Sequence, residues 1–277
     1  MIMASKREKL YQAAERLNAL ICPACGARLV RSEDDFSCAH GHRWNVNRKG
    51  CLNLLSSRVE TYYDAALFDA RWRVFQSGCY QAVADAVAHM LPEGPQRLLD
   101  AGCGEGWYLD RLLTSHPDWC GAGVDISRDA IFRATDQPCE AVWCVGDLRS
   151  LPFSDGAFTA VLDVLTPANY AEFRRVLTPE GLLIKVYPGS EYLREIRDAR
   201  GMAHYAEGQV DAYLKEKTTP VREERLTVTH AVTPLLWRDL VWMTPLNQDL
   251  SADEKNALAD RAGTQITIDL HVAAVRL

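Results

Sequence analysis

Cys22-Pro-Ala-Cys25, with Cys38 and His42 downstream, has the residue types and spacing of a tetrahedral zinc site. Cys-x-x-Cys lets two thiolates of one tight turn point at one ion, and a second turn supplies Cys38 and His42. Four protein ligands leave no open position. The ion is therefore expected to be structural, one per chain, and to fold a segment too small for a core of its own. His40 competes with His42 for the fourth position, although the three residues between Cys38 and His42 match the usual ligand spacing better. A redox pair, or buried apolar cysteines, is the alternative reading. Pro23 and Gly26 suit a metal knuckle, and no βαβ pattern surrounds the pair as a thioredoxin-like site requires.

A second constellation follows in Asp100-Ala-Gly-Cys-Gly-Glu-Gly106. Gly102, Gly104 and Gly106 give a ligand room to approach the end of a strand, a spacing that also fits nicotinamide cofactors and is weak alone. The acids around it are more informative. Asp100 precedes the first glycine, Asp125 ends the next apolar run and Asp147 follows the third. Such carboxylates can hold an amine, ribose hydroxyls and an adenine amino group, and the loop has no lysine to take a phosphate. This pattern resembles class I S-adenosylmethionine-dependent methyltransferases.

The elements that must position these residues are legible in outline. Arg97–Asp100, Gly121–Asp125, Ala141–Val145, Phe158–Asp163 and Leu182–Val186 read as strands; Gln81–Met90, Glu105–Leu113 and Tyr170–Val176 read as helices. Alternation of the two predicts an α/β fold with a doubly wound parallel sheet. Residues 58 to about 77 read as a polar, aromatic connector with Tyr62, Tyr63, Phe68 and Trp72. The expected division is a helical N-terminal extension over 1–20, a zinc-ribbon-like module over 21–57, a connector and helix over 58–90, and a cofactor domain over 91–277.

Composition narrows the class. The chain has 277 residues, 48% of them hydrophobic, enough for one large domain and a small appendage. The first twenty residues are charged and alanine-rich, unlike a signal peptide, and no apolar run approaches membrane-spanning length, so a cytoplasmic protein is expected. Nine cysteines, an odd number, suit reduced thiols in a reducing compartment. Residues 1–60 hold ten Lys/Arg and six Asp/Glu, a balance of +4; the totals of 31 and 37 leave 21 against 31, or −10, for the rest. Arg28, Arg31, Arg43, Arg48, Lys49 and Arg58 could meet phosphates from that basic end.

With both motifs placed, the chain from about Ile21 onward resembles the bacterial 23S rRNA (guanine-N1)-methyltransferases. The resemblance rests on the zinc motif, Lys49-Gly-Cys-Leu-Asn-Leu-Leu55, Ala70-Arg71, Gly78-Cys-Tyr80, the glycine turn, Leu151-Pro-Phe-Ser154, Pro167 and Met243-Thr-Pro245. It implies a Rossmann-like class I methyltransferase sheet, S-adenosylmethionine as cofactor, a guanine in a hairpin loop of 23S ribosomal RNA as target, and the zinc module as RNA grip. Some members are dimeric, which makes a second copy of the chain a candidate partner. The family's Gly-Asp in the connector is Tyr63-Asp64 here, and Trp72 stands where a second arginine often follows. N1 of guanine carries a proton at neutral pH, so an acceptor near the reacting atom is expected. Asp163 and Glu172 are candidates for it by position, Asp163 reading equally as a helix-capping or solvated carboxylate; Pro167 and Asn169 are placed for shaping the pocket, and Tyr170 for stacking or for the core.

Overall fold

The computed structural model describes residues 4–55, 65–205, 208–261 and 263–277; Arg58, Tyr62, Tyr63 and Asp64 lie outside them. Helix α1 (Lys6–Leu17) opens the chain, followed by strands β1 (Val30–Ser32), β2 (Asp35–Ser37), β3 (Arg43–Asn45) and β4 (Leu52–Asn53). Helices α2 (Ala65–Gln76) and α3 (Gln81–Met90) precede the alternating run of β5 (Arg97–Ala101), α4 (Trp107–Ser115), β6 (Cys120–Asp125), α5 (Arg128–Ala134), β7 (Val142–Val145), β8 (Phe158–Val164), α6 (Tyr170–Val176) and β9 (Leu177–Pro188). The remainder holds α7 (Arg194–Arg200), α8 (Gln209–Lys217), β10 (Thr219–Ala231), α9 (Pro234–Met243), α10 (Ala252–Ala259) and β11 (Gln265–Arg276). Part of the expected connector is thus regular helix: Phe68 and Trp72 stand on α2, and Phe68 is buried in it.

Chain contacts divide the molecule into two compact units. One comprises Met1–Thr61, Leu91–Ile184 and Val275–Leu277; the other comprises Tyr62–Met90 and Lys185–Ala274. In the first, strands lie in the order β8-β5-β6-β7-β4 with parallel pairing throughout, Asp100 opposite both Gly123 and Leu162, and Asp125 opposite Val145. Continuous apolar runs such as Leu98-Leu99 and Val142–Val145 form these strands because both faces of a parallel sheet are covered, and those residues are almost fully buried. This is the Rossmann-like arrangement, which collects the carboxyl ends of β5, β6, β7 and β8 along one edge.

Helix α1 is part of that packing. Ser5 caps it, Leu10, Tyr11, Ala13, Ala14 and Leu17 are buried on it, and it lies against β6 and β7. Lys9 donates to Pro138 O (2.8 Å), Arg16 to Pro117 O (3.1 Å) and Trp119 O (3.0 Å), and Lys6 pairs with Asp136. A separate antiparallel sheet, β1-β2-β3, pairs Phe36 with both Arg31 and Trp44.

In the second unit β11 lies beside β10, and α2 packs on α9, where Arg73 donates to both carboxylate oxygens of Asp239 (2.6 and 2.8 Å). Asp269, with a fully buried side chain, accepts from Arg225 (2.9 Å to each oxygen), Thr227 (2.8 Å) and the Glu191 N–H (2.9 Å). Gly189 passes so close that a Cβ would fall 2.3 Å from Asp269 Oδ2.

Candidate metal centre and cofactor site

The two knuckles are built by backbone turns. Cys25 and Gly26 N–H groups donate to Cys22 O (3.2 and 2.8 Å), with Gly26 at φ +72°; Gly41 N–H donates to Cys38 O (2.9 Å), with Gly41 at φ +82°. Glycine fits both positions because a left-handed backbone costs it nothing sterically. The pairing of β2 with β3 brings Cys38 and His42 to one end of that hairpin. Cys25 Sγ lies 3.7 Å from Cys38 Sγ, and His42 Nδ1 lies 3.4 Å from Cys38 Sγ and 3.6 Å from Cys22 Sγ. All four ligand atoms are within 4.8 Å of one another. Zinc bonds of about 2.3 Å to sulfur and about 2.0–2.1 Å to nitrogen give tetrahedral edges of roughly 3.5–3.8 Å, so the cluster fits one ion with no open position. His42, and not His40, supplies the nitrogen. The Cys22 thiol is lowered to about 7: burial opposes its ionisation, but the Trp44 indole N–H and the backbone at Ala24 and Cys25 favour the thiolate. Elsewhere, burial pushes the Cys139 and Cys144 thiols up and raises Cys51 to about 11, as expected of inert core thiols.

The glycine turn closes the end of β5. Gly102, Gly104 and Gly106 all have positive φ (+75°, +55° and +74°), and Gly106 sits at the start of α4. Gly104 N–H donates to Asp125 Oδ2 (2.9 Å) and Ser127 N–H to Asp125 Oδ1 (2.8 Å), which orients the half-buried carboxylate. Burial holds the Cys103 thiol well above its ordinary range, and the negative charges of Asp100, Asp125 and Glu105 around it push the same way. Three carboxylates around one turn suit a cationic ligand and oppose a phosphate.

Two of the glycines serve packing. A Cβ on Gly106 would fall 2.4 Å from the Trp143 ring, and one on Gly123 of β6 would also fall 2.4 Å from it. Trp143, which no sequence motif singles out, is thus the wall against which β6 and the start of α4 close. Gly102 makes room for Thr166, whose Oγ1 would lie 2.4 Å from a Cβ there. Asp147 stands two residues beyond β7, and its carboxylate is held below the usual range mainly by Arg149, which donates to it at 2.7–3.2 Å.

The loop from β8 to α6 carries the remaining predicted residues. Asp163 is fully buried at the β8 end, one step past the Asp100–Leu162 pair, and Pro167 is exposed. Asn169 caps α6: its Oδ1 accepts from Glu172 N–H (3.3 Å) and its Nδ2 donates to Leu148 O (3.0 Å). Its amide is therefore committed to shaping the loop. Glu172 is committed too, accepting from Arg175 (2.7 and 2.9 Å) and from Leu151 N–H (2.7 Å), with Arg175 holding its carboxyl below the ordinary range. A carboxylate so paired is a latch for α6, not a proton acceptor.

Comparison with known proteins agrees with this geometry. The methyltransferase domain model matches residues 98–181, from β5 into β9. YxjB of Bacillus subtilis, provisionally named a 23S rRNA (guanine-N1)-methyltransferase, is 32% identical over 269 residues, covering 91% of this chain and 94% of that protein. The 23S rRNA (guanine(748)-N1)-methyltransferase of Streptomyces fradiae is 33% identical over 220 residues, 76% of this chain and 79% of its own. This chain belongs to the 23S rRNA (guanine-N1)-methyltransferase family. A malonyl-[acyl-carrier protein] O-methyltransferase of Hahella chejuensis is 33% identical over only 119 residues, 39% of this chain.

For a member of the 23S rRNA (guanine-N1)-methyltransferase family the charges around the metal centre matter. Arg43 pairs with Asp35 (3.1 Å), and Arg31 lies over the Tyr11 ring (3.8 Å) and near Glu8 and Glu15. Arg28 donates to Asn18. Arg48 and Lys49 are exposed, with no side-chain ion pair among the described residues. Among those residues, too, no helix is long and apolar enough to cross a membrane.

Proposed function

We infer that the chain transfers a methyl group from S-adenosylmethionine to N1 of a guanine in a 23S rRNA hairpin loop, in the cytoplasm. The observation that carries this is the glycine turn ringed by Asp100, Glu105 and Asp125, in a chain that shares nine tenths of its length with a relative of that family name. Bound at the turn, S-adenosylmethionine supplies an electrophilic methyl group on a cationic sulfur. Asp125 is assigned to the ribose hydroxyls, Asp100 to the amino group and Asp147 to the adenine amino group. Gly104 is assigned to let the ligand approach the backbone, while Gly102 and Gly106 admit Thr166 and Trp143. Asp163 is assigned as acceptor for the N1 proton by its place at the carboxyl end of β8, beside the strand that leads into the glycine turn. A base in a duplex hides N1, so the guanine must be unpaired or flipped out to reach the strand ends. Residues 21–57, folded on one zinc, are assigned to grip the RNA through Arg48 and Lys49, and 91–277 to the chemistry.

A methyl group on N1 blocks Watson–Crick pairing, so reverse transcription stops at the modified base. Unmodified 23S rRNA, incubated with the protein and S-adenosylmethionine, is expected to gain one strong stop at a loop guanine, with position 748 the first to inspect. Labelled methyl that stays out of RNA but enters a small metabolite would overturn the reading.

A further inference from the structure

The loop after β8 holds one residue that the acids and glycines leave unaccounted for. Leu165 has φ +55°, in the left-handed region that side chains with a Cβ avoid. Among the described residues three other non-glycine residues share that region, and each has a local reason. Asn18 terminates α1, Glu33 turns the β1–β2 hairpin, and Leu193 precedes α7 with its side chain almost fully buried. Leu165 gains neither capping nor burial: its side chain is on the surface, with 40% of the residue exposed.

The surroundings hold it there. Asp163 is anchored in the core on one side; on the other, Thr166 sits on the α-carbon of Gly102, and Asn169 ties the start of α6 to Leu148 O. Since β5 and β8 run parallel in register, Leu165 stands next to the glycine turn, where ligands of such sheets bind. Unfavourable backbone maintained by neighbours on both sides, for an apolar side chain left in solvent, marks a functional contact.

We propose that Leu165 is a substrate contact, packing its side chain against the face of the methyl-accepting guanine so that N1 is held toward the cofactor. This deepens the assignment above and rests on it. The apolar face of an extruded base needs such a surface, and a rigidly held leucine supplies it without a polar group that could compete for the base edge.

The test uses the full-length zinc-loaded protein, S-adenosylmethionine and a target hairpin. Leu165→Gly removes the side chain and suits the backbone, so its melting temperature should equal or exceed that of the wild type. Cofactor affinity and hairpin Kd should stay within about twofold, because phosphate contacts dominate RNA binding. The single-turnover rate at saturating hairpin should fall at least about tenfold, as expected when an interaction made at the reacting base is lost. Leu165→Met should recover most of the rate. Leu165→Asn, which tolerates the same φ, should not. A Leu165→Gly enzyme as fast as wild type would overturn the proposal, and so would lowered melting temperatures in both the Gly and Asn variants, which would assign Leu165 to the fold. A wild-type protein that methylates no RNA guanine would instead overturn the underlying function, and this proposal with it.

Discussion

The zinc knuckles and the glycine turn belong to one compact unit but are held by opposite means. Around the knuckles, three strands of three residues each bury only Phe36, and Leu29 and Val46 are the other buried apolar side chains, cysteines aside, between Ile21 and β4. So little apolar surface cannot fix a fold, and the four ligands must supply the missing free energy. The glycine turn rests on strands that are buried almost throughout, and its shape follows from side chains that are missing: Gly102 beneath Thr166, Gly106 and Gly123 beneath Trp143. One region is specified by what its residues bind, the other by the room they leave.

The metal gives the hardest test of that contrast. Structural zinc contributes about 10–16 kcal/mol in small zinc-folded peptides, so chelation or Cys25→Ser should empty the centre and unfold the module. Elemental analysis should fall from one zinc per chain to none, while calorimetric affinity for S-adenosylmethionine stays within about twofold, as for independent sites. A tenfold loss of cofactor affinity would break the contrast, showing that β4, paired with β7, carries the state of the module into the sheet.

Asp125→Ala attacks the other region. Loss of charge-assisted hydrogen bonds worth about 1.5–3 kcal/mol each should weaken S-adenosylmethionine binding at least about tenfold with zinc content unchanged. Unaltered affinity in calorimetric titration would remove Asp125 from the cofactor site.

The role of room is sharpened by Gly123→Ala. Its Cβ meets the Trp143 ring, and such overpacking costs about 1–3 kcal/mol in denaturant unfolding. Trp143→Leu in the same chain should recover part of that loss. If the two changes simply add, the ring is not what requires glycine there.

The smallest effect is expected at Arg48 and Lys49. Replacing both with Gln should flatten the slope of log affinity against log salt for the hairpin by about 1.4–1.8, if each meets one phosphate. The rate at saturating RNA should not change, because these contacts would bind ground and transition states alike. An unchanged slope would mean that the module does not grip RNA.

Local chemistry is legible in the residues themselves. The ligand set of Cys22, Cys25 and Cys38 with a nearby histidine follows from spacing, and the apolar runs at Leu98–Leu99 and Val142–Val145 follow from burial on both faces of a parallel sheet. Helices Gln81–Met90 and Tyr170–Val176 have the bounds that the pattern predicts, because periodicity and flanking breakers agree there.

Tertiary structure decided the rest. Whether His40 or His42 meets the sulfurs depends on how the β2–β3 hairpin closes, which spacing alone leaves open. That Glu172 and Asn169 are spent on Arg175, Leu151 and Leu148 depends on partners some twenty residues away or on a helix that must first form. Beyond Val186 the residue pattern predicted no elements. The unit formed there joins 62–90 to 185–274 through α2 on α9 and the Arg73–Asp239 pair, contacts 166 residues apart that no local pattern encodes. Sequence by itself determined which groups could do chemistry, since spacing and residue type are local. Only the folded chain decided which of them remain available, because a side chain's partners come from everywhere the chain returns.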